Sequence, residues 1–112
     1  MTTYIMINDI NCTDPARENE FNEWVKNVHF PDNVKTKAFK KVTRYELLQP
    51  AEGKGKYLHV FEIETDDLDA AMEEHNIDMK KRKEQPGHTT NLATGGGWGR
   101  GIYKQMFVVK QK

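Results

Sequence analysis

His29, His59, His75 and His88 are the side chains of this 112-residue chain that ordinarily ionise nearest to neutral pH. Imidazoles are the most frequent general acids and bases, so their placement decides which proton chemistry is open to the chain. His29 follows Val25 by four residues, at the edge of an apolar helical face. It stands in what reads as the last turn of that helix, where the dipole favours a protonated ring. It suits acid–base work if a cavity lies beside it; the plain alternative is a capping histidine bonded to a terminal carbonyl. His59 has the strand parity of Tyr57, Phe61 and Ile63, so it is partly buried, and burial disfavours its charged form. It either lines a pocket or is hydrogen-bonded at an interface. His75 lies on the apolar stripe of a second helix, as a satisfied core histidine or as a ligand contact. His88 falls in a long loop, with no positional reason to assign it a role.

Other residue types add to this set. Tyr45 offers a phenol as proton donor or orienting hydrogen bond, against the simpler account of a packed strand aromatic. Arg44 has the opposite parity, and Glu62 or Glu64 on the next strand are its expected partners. Asn8 is polar in an otherwise apolar strand and needs a partner if buried, which a bound ligand or water would supply. Trp24 belongs to the core face of the first helix. The run Gly95-Gly96-Gly97-Trp98-Gly99-Arg100-Gly101 enters a strand rather than opening a helix, which argues against a phosphate cradle. It reads as a loop that places Trp98 over a pocket mouth, or as a simple connection. No histidine pair has metal-ligand spacing, so no metal is expected.

Composition narrows the partners. Lysine plus arginine and aspartate plus glutamate number 17 each, for zero net charge, so nothing suggests a nucleic-acid footprint. The basic run Lys80-Lys81-Arg82-Lys83 follows the acidic Asp66, Asp67 and Asp69, and the two read as the ends of one helix matched to its dipole. Cys12 is the single cysteine, which leaves no intrachain disulfide. No stretch approaches the roughly 20 apolar residues of a membrane span, and no signal segment opens the chain. A cytoplasmic protein with no membrane partner is expected.

The elements that must hold these residues fit one domain over 1–112. A strand is predicted over Tyr4–Ile10. Asp14 and Pro15 then start a helix whose face is Phe21, Trp24, Val25 and Val28, and Pro31 should end it near Phe30. Ala38–Leu48 and Tyr57–Ile63 read as a hairpin about the glycine-containing link 50–55. Thr65 or Asp66 caps a helix with Leu68, Ala71, Met72, His75 and Met79 on one side, and Ile102–Val109 reads as the last strand. The order β-α-β-β-α-β predicts an α+β, ferredoxin-like sandwich: a four-stranded antiparallel sheet with two helices on one face. Apolar residues of both parities in the strands call for cover on the second face as well. A second copy of the chain is the economical cover, giving a homodimer joined through the sheet.

Several segments resemble one superfamily: Asp14-Pro-Ala-Arg, Phe21-Asn-Glu-Trp24, Val28-His29-Phe-Pro31-Asp32, Thr43-Arg44-Tyr45 and the strand Tyr57–Glu64. Together they look like the dimeric α+β barrel proteins, and among them the EthD-like and muconolactone-isomerase-like members. The resemblance implies a pocket between sheet and helices, with His29 facing it and the Arg44-Tyr45 strand lining it. His59 departs from it, since an apolar residue is commoner there, and so does the glycine run. The expected function is a cofactor-independent enzyme of isomerase, cyclase or monooxygenase type, acting on a small apolar or aromatic molecule. His29, Tyr45 and His59 would do the chemistry, and Asn8, Trp24, His75 and Trp98 would bind the ligand. The alternatives are a non-catalytic dimeric module that binds a small ligand or stabilises a partner, and, further off, haem binding.

Overall fold

The structure, a computed structural model, describes residues 1–94 and 101–112. Its elements in chain order are β1 (Thr2–Cys12), α1 (Glu18–Trp24), a π-helical turn Val25–His29, α2 (Phe30–Val34), β2 (Phe39–Glu46), β3 (Tyr57–Thr65), α3 (Leu68–Lys83), β4 (Ala93–Thr94) and β5 (Gly101–Lys104). The strands lie in the order β2-β3-β1, and the other edge of β1 carries β5 and the two-residue β4. All pairings are antiparallel. This is the α+β, ferredoxin-like arrangement that the element order predicts. The expected Trp98 lid and most of the glycine-rich run lie outside the described residues.

The first helix begins as its sequence suggests. Asp14 Oδ1 accepts the Ala16 N–H at 3.0 Å, with Pro15 at the first position of a short 3₁₀ turn. Its end differs from expectation, because the chain stays helical through Pro31 to Val34. Proline has no N–H to give to the ladder, and its ring crowds the preceding turn. The widened turn at Val25–His29 accommodates this: the Phe30 N–H bonds to the Val25 carbonyl, five residues back. Asn33 Nδ2 donates to the His29 carbonyl at 2.8 Å. His29 is therefore mid-helix and is neither a cap nor at a dipole end.

At α3 the cap is Asp67 and not Thr65 or Asp66: Asp67 Oδ1 accepts the Ala70 N–H at 3.1 Å, while Thr65 Oγ1 accepts from the Asp67 N–H. Ala71, His75 and Met79 form the buried side of α3, and Lys80–Lys83 its basic last turn. No helix among the described residues is long and apolar enough to cross a membrane.

The last strand is shorter than predicted. Its ladder stops at Lys104, and Gln105 adds one bond to the Thr3 carbonyl at 2.9 Å. The register opposes Lys104 to Tyr4, so β1 runs out within three residues. Met106, Phe107, Val108 and Val109 pass beyond the sheet and stand exposed.

Alternation in β3 sorts its residues cleanly. Tyr57, His59, Phe61 and Ile63 are buried toward the helices, whereas Leu58, Val60, Glu62 and Glu64 are half-buried on the open face. The helix side holds two apolar clusters. Ile10, Phe21, Val25, Tyr57 and Leu92 form one, and Met6, Phe39, Phe61 and Ile63 form the other. His59 falls between them on β3.

Candidate functional site

A polar row crosses the helix-facing side of the sheet where the two apolar clusters part. The register pairs Asn8 of β1 with His59 of β3, and His59 with Arg44 of β2. His59 is fully buried. Neither of its ring nitrogens has a hydrogen-bond partner among the described residues, nor do Asn8 Oδ1, Arg44 Nε and Arg44 Nη2. Each such orphaned group costs about 1–3 kcal/mol of desolvation, so a row of three requires an explanation.

A cavity of about 310 Å³ borders this row and supplies one. Its lining includes Asn8, His59, His29, Trp24, Lys83 and His88. A volume of that size falls at the small end of ligand pockets. The walls are aromatic: Trp24 stacks on His29 at 5.1 Å between centroids, and the edge of His59 meets Phe30 at 4.8 Å. The centroids of His29 and His59 are 6.3 Å apart. The loop after α3 closes the remaining side. Trp24 Nε1 donates to the Gly87 carbonyl at 2.8 Å, and the Thr13 N–H to the Leu92 carbonyl at 2.7 Å.

Electrostatics in this enclosure favour neutral rings. Burial pushes His29 down to about 4, helped by the Lys83 ammonium and opposed by Asp32. Burial pushes His59 down to about 3, with Arg44 and His29 adding to the effect. At neutral pH both are uncharged imidazoles, each with one donor and one acceptor nitrogen. His29 thus presents a neutral ring, and not the protonated one expected of a helix terminus.

With this geometry in view, the relatives can be placed. Residues 3–89 match the family model described as "Domain of unknown function (DUF4286)". The chain belongs to that family. No curated protein matches it. Among solved structures it is similar to HapK from Hahella chejuensis, with a TM-score of 0.65, 17% identity and coverage of 97% of this chain and 98% of that one. It is also similar to an ethyl tert-butyl ether D (EthD) family protein from Bacillus halodurans, with a TM-score of 0.57, 18% identity and coverage of 95% and 100%. A third is the heme-degrader MhuD from Mycobacterium tuberculosis, solved with two hemes in its active site, with a TM-score of 0.59, 20% identity and coverage of 96% and 99%. These likenesses show the fold alone, and they agree with the ferredoxin-like α+β arrangement described above.

Asn8, Trp24, His29 and His59 come together at the cavity, and two other candidates do not. Tyr45 faces Leu58 on the open side of the sheet and is 55% exposed, which corrects its placement in the pocket. The register decides this: with Arg44 opposite His59, the next residue must point the other way. Arg44 is accordingly on the helix side, where Glu62 and Glu64 cannot reach it. Its guanidinium lies 3.8 Å from the Tyr57 ring centroid and donates from Nη1 to Asn22 Oδ1 at 2.7 Å. His75 is buried away from the cavity, stacked on Phe39 at 3.6 Å with Nδ1 hydrogen-bonded to Thr36 Oγ1 at 3.1 Å. Among the described residues no group of three or more His, Cys, Asp or Glu could hold a metal ion.

Lys83, His88, Thr89 and Thr90 line the cavity without any local sequence signal marking them. Lys83 ends α3, and only the path of the loop after it brings the other three there.

The two suppressed histidines make a signed prediction. Below about pH 6.5 the unfolded chain takes up protons that the folded one refuses, so stability falls with pH down to about 4. The slope approaches ~1.4 kcal/mol per pH unit for each histidine. Urea denaturation at pH 7, 6 and 5 should show that loss, and His59→Phe should reduce it by about half. A profile flat from pH 7 to 5 would mean that the two rings are not held neutral.

Proposed function

We propose that this DUF4286 protein is a small acid–base enzyme. It takes a small, largely apolar or aromatic molecule bearing a hydroxyl or carbonyl oxygen into the cavity between sheet and helices. The observation that carries this reading is the fully buried His59, with both ring nitrogens unpartnered among the described residues and Asn8 Oδ1 beside it in register. Such groups are kept at a cost, and an oxygen of a bound molecule would satisfy them. Trp24, Phe21 and Ile10 offer the apolar contact for the rest of that molecule. His29 and His59, as neutral imidazoles, would orient and polarise it, and proton transfers of the isomerase, cyclase or monooxygenase type suit such a site. Tyr45, Trp98 and His75 are not used in this proposal. The haem alternative would need a free histidine at a larger opening, and the stacked and bonded His75 does not favour it.

The test is binding of matched aromatics, 2-naphthol against naphthalene, followed by shifts of the His29 and His59 ring resonances. The naphthol should bind at least tenfold more tightly, and His59→Phe should remove the difference. Equal affinities, or a preference that survives in His59→Phe, would contradict the reading. A protein that binds the naphthol but turns over no enolisable or phenolic compound would be the non-catalytic module instead.

The working unit is proposed to be a homodimer. The open sheet face carries Ile5, Ile7, Leu58, Val60 and Tyr103, and the tail from Met106 to Val109 is apolar and has no opposing strand among the described residues. A second copy would cover both. Light scattering after size exclusion should give twice the chain mass, and Val60→Asp should give a folded monomer. A wild-type monomer would contradict the dimer.

A further inference from the structure

His88 is the pocket residue with a built-in electrostatic partner. Its Nδ1 lies 2.6 Å from Oδ2 of Asp32, a carboxylate that is itself 3% exposed. An ionised carboxylate can only accept, so Nδ1 carries the proton and Nε2 keeps the lone pair. The loop holding His88 is tied down on both sides, by Trp24 Nε1 on the Gly87 carbonyl and by the Thr13 N–H on the Leu92 carbonyl. Asp32 is placed by α2, the segment that the widened turn at Val25–His29 lets continue past Pro31. Arg82 of α3 stands 3.8 Å from its other oxygen, and is itself held by Asp78 at 2.7 Å. The ring of His88 lines the same cavity as His29 and His59.

We propose that His88 is the proton-accepting residue of this cavity, with Asp32 as the residue that positions it, and that the substrate class is carbon acids: molecules with a C–H next to a carbonyl or comparable electron sink. The assignment rests on the pocket reading above. The physical ground is the contrast among the three rings. A proton placed on His59 would be a charge buried among aromatics near Arg44, and one on His29 would lie buried near Lys83, with Asp32 only partly offsetting the burial. A proton placed on His88 would make an imidazolium held against a carboxylate. The geometry assigns the roles: Asp32 holds the Nδ1–H of His88 and leaves Nε2 to accept the proton, while His29 and His59 orient the molecule. In the reaction the C–H bond breaks and its proton goes to His88 Nε2. The electron pair forms the carbon–carbon double bond of an enolate, whose oxygen takes the charge. The Lys83 ammonium lines the same cavity and complements that charge. Where the molecule carries a β,γ double bond, the electron pair spreads over a dienolate, and return of the proton to the γ carbon completes an isomerisation with no oxidant or reductant required.

The probe is 5-nitrobenzisoxazole, an aromatic carbon acid of suitable size. Removal of its C–H proton forms the nitrile and breaks the N–O bond, leaving a coloured phenolate. The wild-type protein should turn it over. His88→Gln should lower the rate roughly a hundredfold, the usual scale for a positioned base. Asp32→Asn should lower kcat while KM holds, and Asp32→Glu should restore part of the rate, which a merely structural loss would not do. Turnover unchanged in His88→Gln, or an unchanged kcat in Asp32→Asn, would overturn the proposal and leave the pocket reading standing. No binding of the probe, seen as unmoved His29 and His59 resonances, would remove both. Should Asp32→Asn not fold, the ¹⁵N resonances of wild-type His88 decide the positioning: a protonated Nδ1 with a free Nε2 supports it, and the opposite tautomer overturns it.

Discussion

The rest of the structure is arranged around a break in the core. Asn8, His59 and Arg44 sit side by side on three adjacent strands, facing the helices, where an unbroken apolar layer would have been more stable. Leaving several of their polar atoms unpaired costs about 1–3 kcal/mol each, a large share of the stability of a small domain. The fold answers this locally only in part. Arg44 lies across Tyr57 and bonds to Asn22, but His59 has no such relief. The apolar residues divide into a cluster on either side of it, and the cavity opens between them and the first helix.

The same constraint shapes the helix above. A straight α-helix ending at Pro31 would have left His29 at a solvated terminus. The π-helical turn keeps the chain helical to Val34, which presses His29 onto Trp24 and carries Asp32 inward to meet His88. Backbone irregularity, the burial of two imidazoles and the anchoring of the loop after α3 are thus parts of one arrangement. Suppressed basicity at His29 and His59 follows from it, as does the different setting of His88 beside a carboxylate.

Much of the fold was legible in the chain because it rests on periodicity. The alternation in Tyr57–Ile63 put His59 on the buried side, and the spacing of Phe21, Trp24 and Val25 put Trp24 and His29 toward the sheet. What could not be read depends on register and on contacts distant in sequence. The choice between Tyr45 and Arg44 for the helix side turns on a shift at Phe39 and Lys41 in the β2–β3 pairing. Asp32 and His88 are 56 positions apart, and only the path of the loop joins them. Pro31 misled, because a proline that ordinarily stops a helix is here absorbed by a wider turn. The truncated β5 escaped notice because its apolar pattern continues through Val109 while the strand it pairs with does not.

The central claim is that a small molecule completes the row at His59. A crystal structure of the protein with 2-naphthol tests it most directly. The account predicts the naphthol ring against Trp24 and its oxygen within hydrogen-bond distance of a His59 ring nitrogen or Asn8 Oδ1. A cavity without the naphthol, and with both His59 nitrogens bonded within the protein, would contradict it.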